Sequence, residues 1–178
     1  MSPSSHLVKL DSLTDLFFSS QEDLGTFTSV SRQEMPATYR ELLAHNMHMT
    51  VTVESFHHSL VDVVVLRSRR DENFYSREIL LVSRSDGRVV QYGIVRLNFD
   101  FLNPVVVSQI ESEETPLGRI LINHGVLREV RLENLYRIEA SEYLARQLQL
   151  ADDAVCFGRT AMIYCDAAPA IELLEVVP

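Results

Sequence analysis

The sequence predicts a single α+β domain built on an antiparallel β-sheet. Three observations predict it. A chain of 178 residues suits one domain. Helical and strand periodicities come in blocks (helices, strands, helices, strands) without βαβ alternation. An Asp-Gly pair in SDGR, Ser85–Arg88, signals a hairpin between two strand-like runs.

The elements follow in order. Residues 1–35 read as a helical extension: a mobile start, then a helix in which Val8, Leu10, Leu13, Leu16 and Phe17 recur at helical spacing. GTFTSVSRQ, Gly25–Gln33, is polar and reads as a connector. The main domain is expected over 36–178. Pro36 opens a helix, PATYRELLAHN, with Tyr39, Leu42 and Leu43 on its inner face. From Met49 the period changes. MTVTVESF alternates and is β-branched, VDVVVLRS is a nearly continuous apolar run, and YSREILLVS and RVVQYGIVRLNF complete a meander. NPVVVSQIESE is helical, and ETPLGRILI opens a second helix, with Thr115 as cap and Pro116 at its first turn. VLREVRLENLYRIE reads as a strand and SEYLARQLQL as a helix. AVCFGRTAMIYC and AIELLEVVP close the chain as strands, with DAAPA, Asp166–Ala170, turning between them.

Composition narrows the function classes. Hydrophobic residues make up 46% and charged residues 23%, ordinary for a globular domain. At this length roughly 70% of the unfolded surface is buried, so neither metal nor disulfide is needed for stability. No run is long and apolar enough to cross a bilayer, and the start lacks the pattern of a signal peptide, so a cytoplasmic protein is expected. Cys156 and Cys165 then read as buried, reduced thiols. The net charge is −9 and the pI about 5.1. Basic residues are scattered, and SRRDE, Ser68–Glu72, carries its own acids, so neither nucleic acid nor an anionic membrane is an expected partner. An anionic ligand would have to be held by a few placed arginines against the overall field.

Two charged residues stand out on apolar strands. Arg77, in YSREILLVS, shares a strand face with Tyr75, Ile79 and Leu81. A guanidinium there requires a carboxylate, from a ligand or from an internal Asp or Glu. Glu175, in AIELLEVVP, shares a face with Ile171, Leu173 and Val177. Such a setting raises a carboxyl pKa, which suits a general acid, unless Glu175 reaches water at the strand end. Glu172 projects from the other face. TPLGR, Thr115–Arg119, offers free backbone N–H groups at a helix start, with Gly118 allowing a carboxylate close approach. His45 and His48 lie three apart and His57 and His58 are adjacent, but no further ligand completes a metal spacing. GxSxG, phosphate-loop and dinucleotide motifs are absent.

Taken in order, LLAHNMHMT, YSREILLV, VVQYGIV, ETPLGRILI, FGRTAMIY and LLEVVP resemble the chorismate lyase family, in its divergent bacterial and archaeal branch. The resemblance covers about residues 40–178, and REILL and TPLGR are its most specific pieces. It implies an antiparallel sheet with helices on one side and a small enclosed pocket. There chorismate would lose pyruvate to leave a hydroxybenzoate, the 4-isomer being expected, with no metal or organic cofactor. Carried over by position, Arg77 would hold the ring carboxylate with help from the Leu117 amide in PLGR. Gly93 of QYGIV would be the pocket glycine, and Glu175 the acid at the leaving oxygen. Aromatisation supplies the driving force, leaving the protein to orient a dianion and stabilise departing charge.

Two departures from the family pattern matter. Better-known members carry an arginine directly after the pocket glycine, where this chain has Ile94. Arg96, on the same strand face as Ile94, is the expected substitute for substrate binding. The distance from Glu175 to the C-terminal Pro178 is one residue short, which keeps Glu172 as a fallback acid. The alternative is a non-catalytic domain of the same fold that binds a small aromatic or cyclic carboxylate, as in the effector-sensing half of some bacterial regulators. A DNA-binding domain ahead of it is not expected in 35 residues. A third reading is an enzyme for a different cyclic acid, with Ile94 widening the pocket.

Overall fold

A computed structural model describes residues 7–151 and 154–178. The first six residues, where the mobile start is expected, lie outside the described residues. The strands are β1 (Gly25–Val30), β2 (Val61–Asp71), β3 (Phe74–Ser83), β4 (Val89–Asn98), β5 (Arg128–Ala140), β6 (Val155–Cys165) and β7 (Ala168–Val177). They form one seven-stranded sheet in the order β1-β5-β6-β7-β4-β3-β2, antiparallel at every pairing. The helices are α1 (Leu10–Thr14), α2 (Ala37–Leu43), α3 (Met49–His57), α4 (Pro104–Glu111), α5 (Leu117–Asn123) and α6 (Glu142–Gln147).

Side-chain alternation sorts the two faces of the sheet. Tyr75, Ile79 and Leu81 of β3, Val95 and Leu97 of β4, and Ile171, Leu173 and Val177 of β7 lie under α2–α5. There they pack with Leu43, Met49, Val53, Ile110, Ile120 and Leu121. The fold is thus an antiparallel sheet with this helical layer on one side. Part of the reverse face, with Tyr92, Ile94, Leu174 and Val176, packs against Leu13 of α1 and Leu144 of α6. The hairpin expected at Ser85–Arg88 joins β3 to β4, with Gly87 at φ +72. The last turn is tighter than DAAPA suggests: Asp166 and Ala167 alone make it, both at positive φ.

Three local expectations change. MTVTVESF is helix α3, not a strand. Met49, Thr50 and Val53 fall on one helical stripe and are buried, while Val51 is left exposed. That burial outweighs the β-propensity of the run, and the Thr52 hydroxyl is satisfied by the His48 carbonyl at 3.1 Å. GTFTSVSRQ holds an edge strand, β1, paired along its length with β5, and Phe27 packs edge-on to Tyr136 at 5.7 Å. Its polar residues face outward, as on many edge strands, and that hides it from a hydrophobicity reading. Thr115 makes no cap: Pro116 is the N-cap of α5, with no side-chain bond.

Candidate functional site

A partly enclosed cavity lies between the helical layer and the middle of the sheet. Arg77, Gly93, Leu117, Gly118 and Glu175 all line it, residues spread over almost a hundred positions. It offers about 30 Å³ of room for water centres, space for roughly two waters, so a ring-sized ligand must widen it. Ile79, Leu81, Val95, Val130, Ile163 and Leu173 make its walls largely apolar.

Sheet register explains the gathering. Arg77 pairs with Val95, Ile79 with Gly93, and Gly93 with Glu175 on the next strand, so all three strands send odd-numbered residues to this face. At Gly93 an added Cβ would lie 3.2 Å from the Leu174 carbonyl and 3.4 Å from Ile79 Cγ1. The missing side chain therefore keeps the floor of the cavity open.

Arg77 is fully buried, and among the described residues it has no carboxylate partner. Its Nη1 reaches the Ile110 carbonyl only at 3.5 Å, the edge of a hydrogen bond. Nε and Nη2 have no hydrogen-bond partner among the described residues. Burial pulls the guanidinium pKa below its ordinary value, against the pull of Tyr75 and Glu113 nearby. The Tyr75 hydroxyl donates to Glu113. Burial, then that bond, pushes its pKa up to about 12.

Glu175 is in the opposite situation. Arg159 of β6, also fully buried, donates Nε to Glu175 Oε2 at 2.7 Å. Its Nη1 donates to the His45 carbonyl at 2.8 Å, and its Nη2 to the Met47 carbonyl at 2.9 Å. Arg159 thus ties the sheet to the segment between α2 and α3. His48, at the end of that segment, accepts from Arg128 Nε through its Nε2 at 2.6 Å. Burial, then Arg128 and Arg159, lowers the His48 pKa to about 4, so the ring is neutral near pH 7.

Two polar cavity residues, Arg159 and Gln91, escape the sequence reading, and a third, His48, enters it only as a candidate metal ligand. Arg159 carries the same signal as Arg77, a charge among the inward residues Phe157, Ala161 and Ile163. Gln91 is 3% exposed, and its Oε1 has no partner among the described residues. His48 precedes MTVTVESF, and reading that segment as a strand hides its place at the N-cap of α3.

Other expectations are corrected. Arg96 does not reach the cavity: it lies on the reverse face, 3.5 Å from Glu172 and over the Phe74 ring at 4.4 Å. From Tyr92 onward, the even-numbered positions of β4 point away from Gly93. For the same reason Ile94 is fully buried beside Tyr92 and does not widen the cavity, and Glu172 belongs with Arg96. Gly118 lines the cavity and also packs closely on α3, where a Cβ would come 2.8 Å from Thr50 Oγ1. The Leu117 and Gly118 amides, first in α5, have no carbonyl before them in the helix. Cys156 and Cys165 are buried free thiols, pushed by burial to about 12 and about 11.

No protein-family model matches the sequence, and no curated protein sequence does. Solved structures do match. PhnF from Mycobacterium smegmatis aligns with a TM-score of 0.54 at 12% identity, over 74% of this chain and 63% of that one. The effector domain of PhnF aligns at 0.54 and 14%, over 73% and 86%. A protein assigned as a transcriptional regulator from Streptomyces coelicolor aligns at 0.51 and 15%, over 67% and 87%. The chain therefore spans under two thirds of full-length PhnF but most of its effector domain.

These findings overturn the expected lyase. These neighbours are full-length PhnF, its effector domain and a protein assigned as a transcriptional regulator. Glu175, assigned the proton step, is engaged by Arg159. No helix among the described residues is long and apolar enough to cross a membrane. Strand order, the helical layer and the cavity beneath it give this chain the chorismate lyase-like fold.

Proposed function

We propose that this protein is a non-catalytic sensing domain whose cavity takes a small organic carboxylate, with Arg77 as the anchor. The observation that carries this reading is the buried Arg77 guanidinium with Nε and Nη2 unpartnered. An uncompensated buried charge is costly, and adjacent guanidinium N–H groups accept a carboxylate through two parallel bonds. The mainly apolar walls favour a ring or branched body over a sugar phosphate. The likeness to the effector domain of PhnF supports a sensing role over turnover. Any DNA contact of such a regulator is assigned to another module, in keeping with the net charge of −9.

The test is titration calorimetry with benzoate and a set of cyclic carboxylates, on wild type and Arg77→Met. Binding that disappears in the variant is the expected result. Binding that survives it removes Arg77 as the anchor. The same protein given chorismate should release no pyruvate, and steady release would restore turnover in place of sensing.

A further inference from the structure

The cavity contains a second unsatisfied group. Gln91 lines it from β4, is 3% exposed, and leaves its Oε1 carbonyl without a donor among the described residues. A buried amide oxygen with no hydrogen bond is destabilising, so in a native cavity it calls for a partner. The backbone aims this side chain. β3 and β4 slip register between Leu81 and Val82, where Gln91 pairs with Leu81 and Val89 with Val82, leaving Val90 as the extra residue. A bulge of this kind re-aims neighbouring side chains. Here Val90 joins the core beneath the helices while Gln91 keeps the inward parity of Gly93 and Val95.

Arg77 and Gln91 then stand at opposite ends of one strip of sheet. Arg77 lies in the row of Val95 and Gln91 lies four residues along β4, with Gly93 midway. Those rows are about 14 Å apart along the strand, and the two long side chains enter the cavity from either end. A ligand spanning them passes over Gly93, the one cavity residue of β4 without a side chain.

Resting on the sensing role of Arg77, we propose that Gln91 is the specificity residue of the cavity, so that the ligand is a compact carboxylic acid with a hydrogen-bond donor, hydroxyl or amine, remote from its carboxylate. Arg77 pairs with the carboxylate and the Gln91 carbonyl accepts from the donor. A ligand of the same size without the donor leaves Gln91 unsatisfied and binds less well.

The probes are benzoate, its hydroxy and amino derivatives in each ring position, and the matching fluoro derivatives, which have similar bulk but no donor. In the wild type at least one hydroxy or amino isomer should bind about 10-fold more tightly than its fluoro counterpart. Gln91→Met, close in volume, should erase that preference while holding benzoate affinity within about 3-fold. Its melting temperature should match or exceed that of wild type, because an unpaired buried polar group is removed. Equal binding of donor and fluoro compounds, with binding still lost in Arg77→Met, overturns the role of Gln91 and leaves that of Arg77. A donor preference that persists in Gln91→Met does the same. If no compound in the panel binds, both readings fall.

Discussion

Arg159 and Glu175 face each other across β6 and β7 as a register pair, with Nε and Oε2 2.7 Å apart. The cavity therefore holds two fully buried arginines in opposite states, Arg159 neutralised and Arg77 not. That asymmetry separates framework from site. Arg159 and Glu175 satisfy each other and brace the α2–α3 segment. Of the two arginines, Arg77 is the one left for a ligand.

Arg77→Met should therefore stabilise the ligand-free protein. It keeps most of the apolar stem and removes a buried charge without a counter-ion, a gain of about 1 kcal/mol or more. At this chain length that is an increase of about 2–4 °C in melting temperature. In the presence of a bound carboxylate the order should reverse, since the variant loses about 30-fold or more in affinity. A lower melting temperature for the ligand-free variant would mean that Arg77 has an internal partner in solution.

Breaking the paired arginine should do the opposite. Glu175→Leu leaves Arg159 buried and uncompensated, costing about 3–5 kcal/mol in urea unfolding. Adding Arg159→Met should recover part of that loss, which a double-mutant cycle measures as a coupling energy. Hydrogen exchange should quicken over Leu43–Met47, whose carbonyls Arg159 holds. Additive losses in the cycle would mean that the pair is not coupled.

How far this was legible in the sequence depends on the kind of signal. Strand parity placed Arg77 and Glu175 with their apolar neighbours, because a period of two needs no tertiary information. The same parity, applied to Arg96 from Gly93 instead of Ile94, would have excluded it from the cavity. What parity cannot supply is which buried charges meet across strands. Arg159 and Glu175 lie sixteen residues apart, and their contact depends on the register of the last hairpin. On its own strand Glu175 therefore reads as a lone acid. MTVTVESF misled for a different reason: its alternation is real, but α3 is selected by what Met49, Thr50 and Val53 bury against α5 and β3.

Gly118→Ala tests whether α5 is held against α3 by close packing. The new Cβ meets Thr50 Oγ1 at 2.8 Å and Thr50 Cβ at 3.1 Å, so the helices must separate, at about 1–3 kcal/mol. Thr50→Ala in the same chain removes the first contact and should recover part of the loss. Gly93→Ala should cost less stability but weaken carboxylate binding, because its Cβ enters the cavity floor. Equal binding by Gly93→Ala and wild type would move the ligand off this strip of sheet.

The pH dependence of stability should carry the signature of His48. Its pKa is about 4 in the folded protein, lowered first by burial and then by Arg128 and Arg159, against about 6.5 unfolded. The unfolded chain therefore binds the proton more readily. The neutral ring's contribution to stability is complete above pH 6.5 and is lost as pH falls from there to about 4, on the order of 3 kcal/mol in all. His45 and His57 are also shifted down by burial and add to the same slope. His48→Gln isolates one share of it, keeping an acceptor for Arg128 while removing the titration. Between pH 7 and pH 4.5 the variant should lose clearly less stability than wild type in urea unfolding. Parallel losses in the two proteins would show that His48 titrates normally, and that its contact with Arg128 does not form in solution.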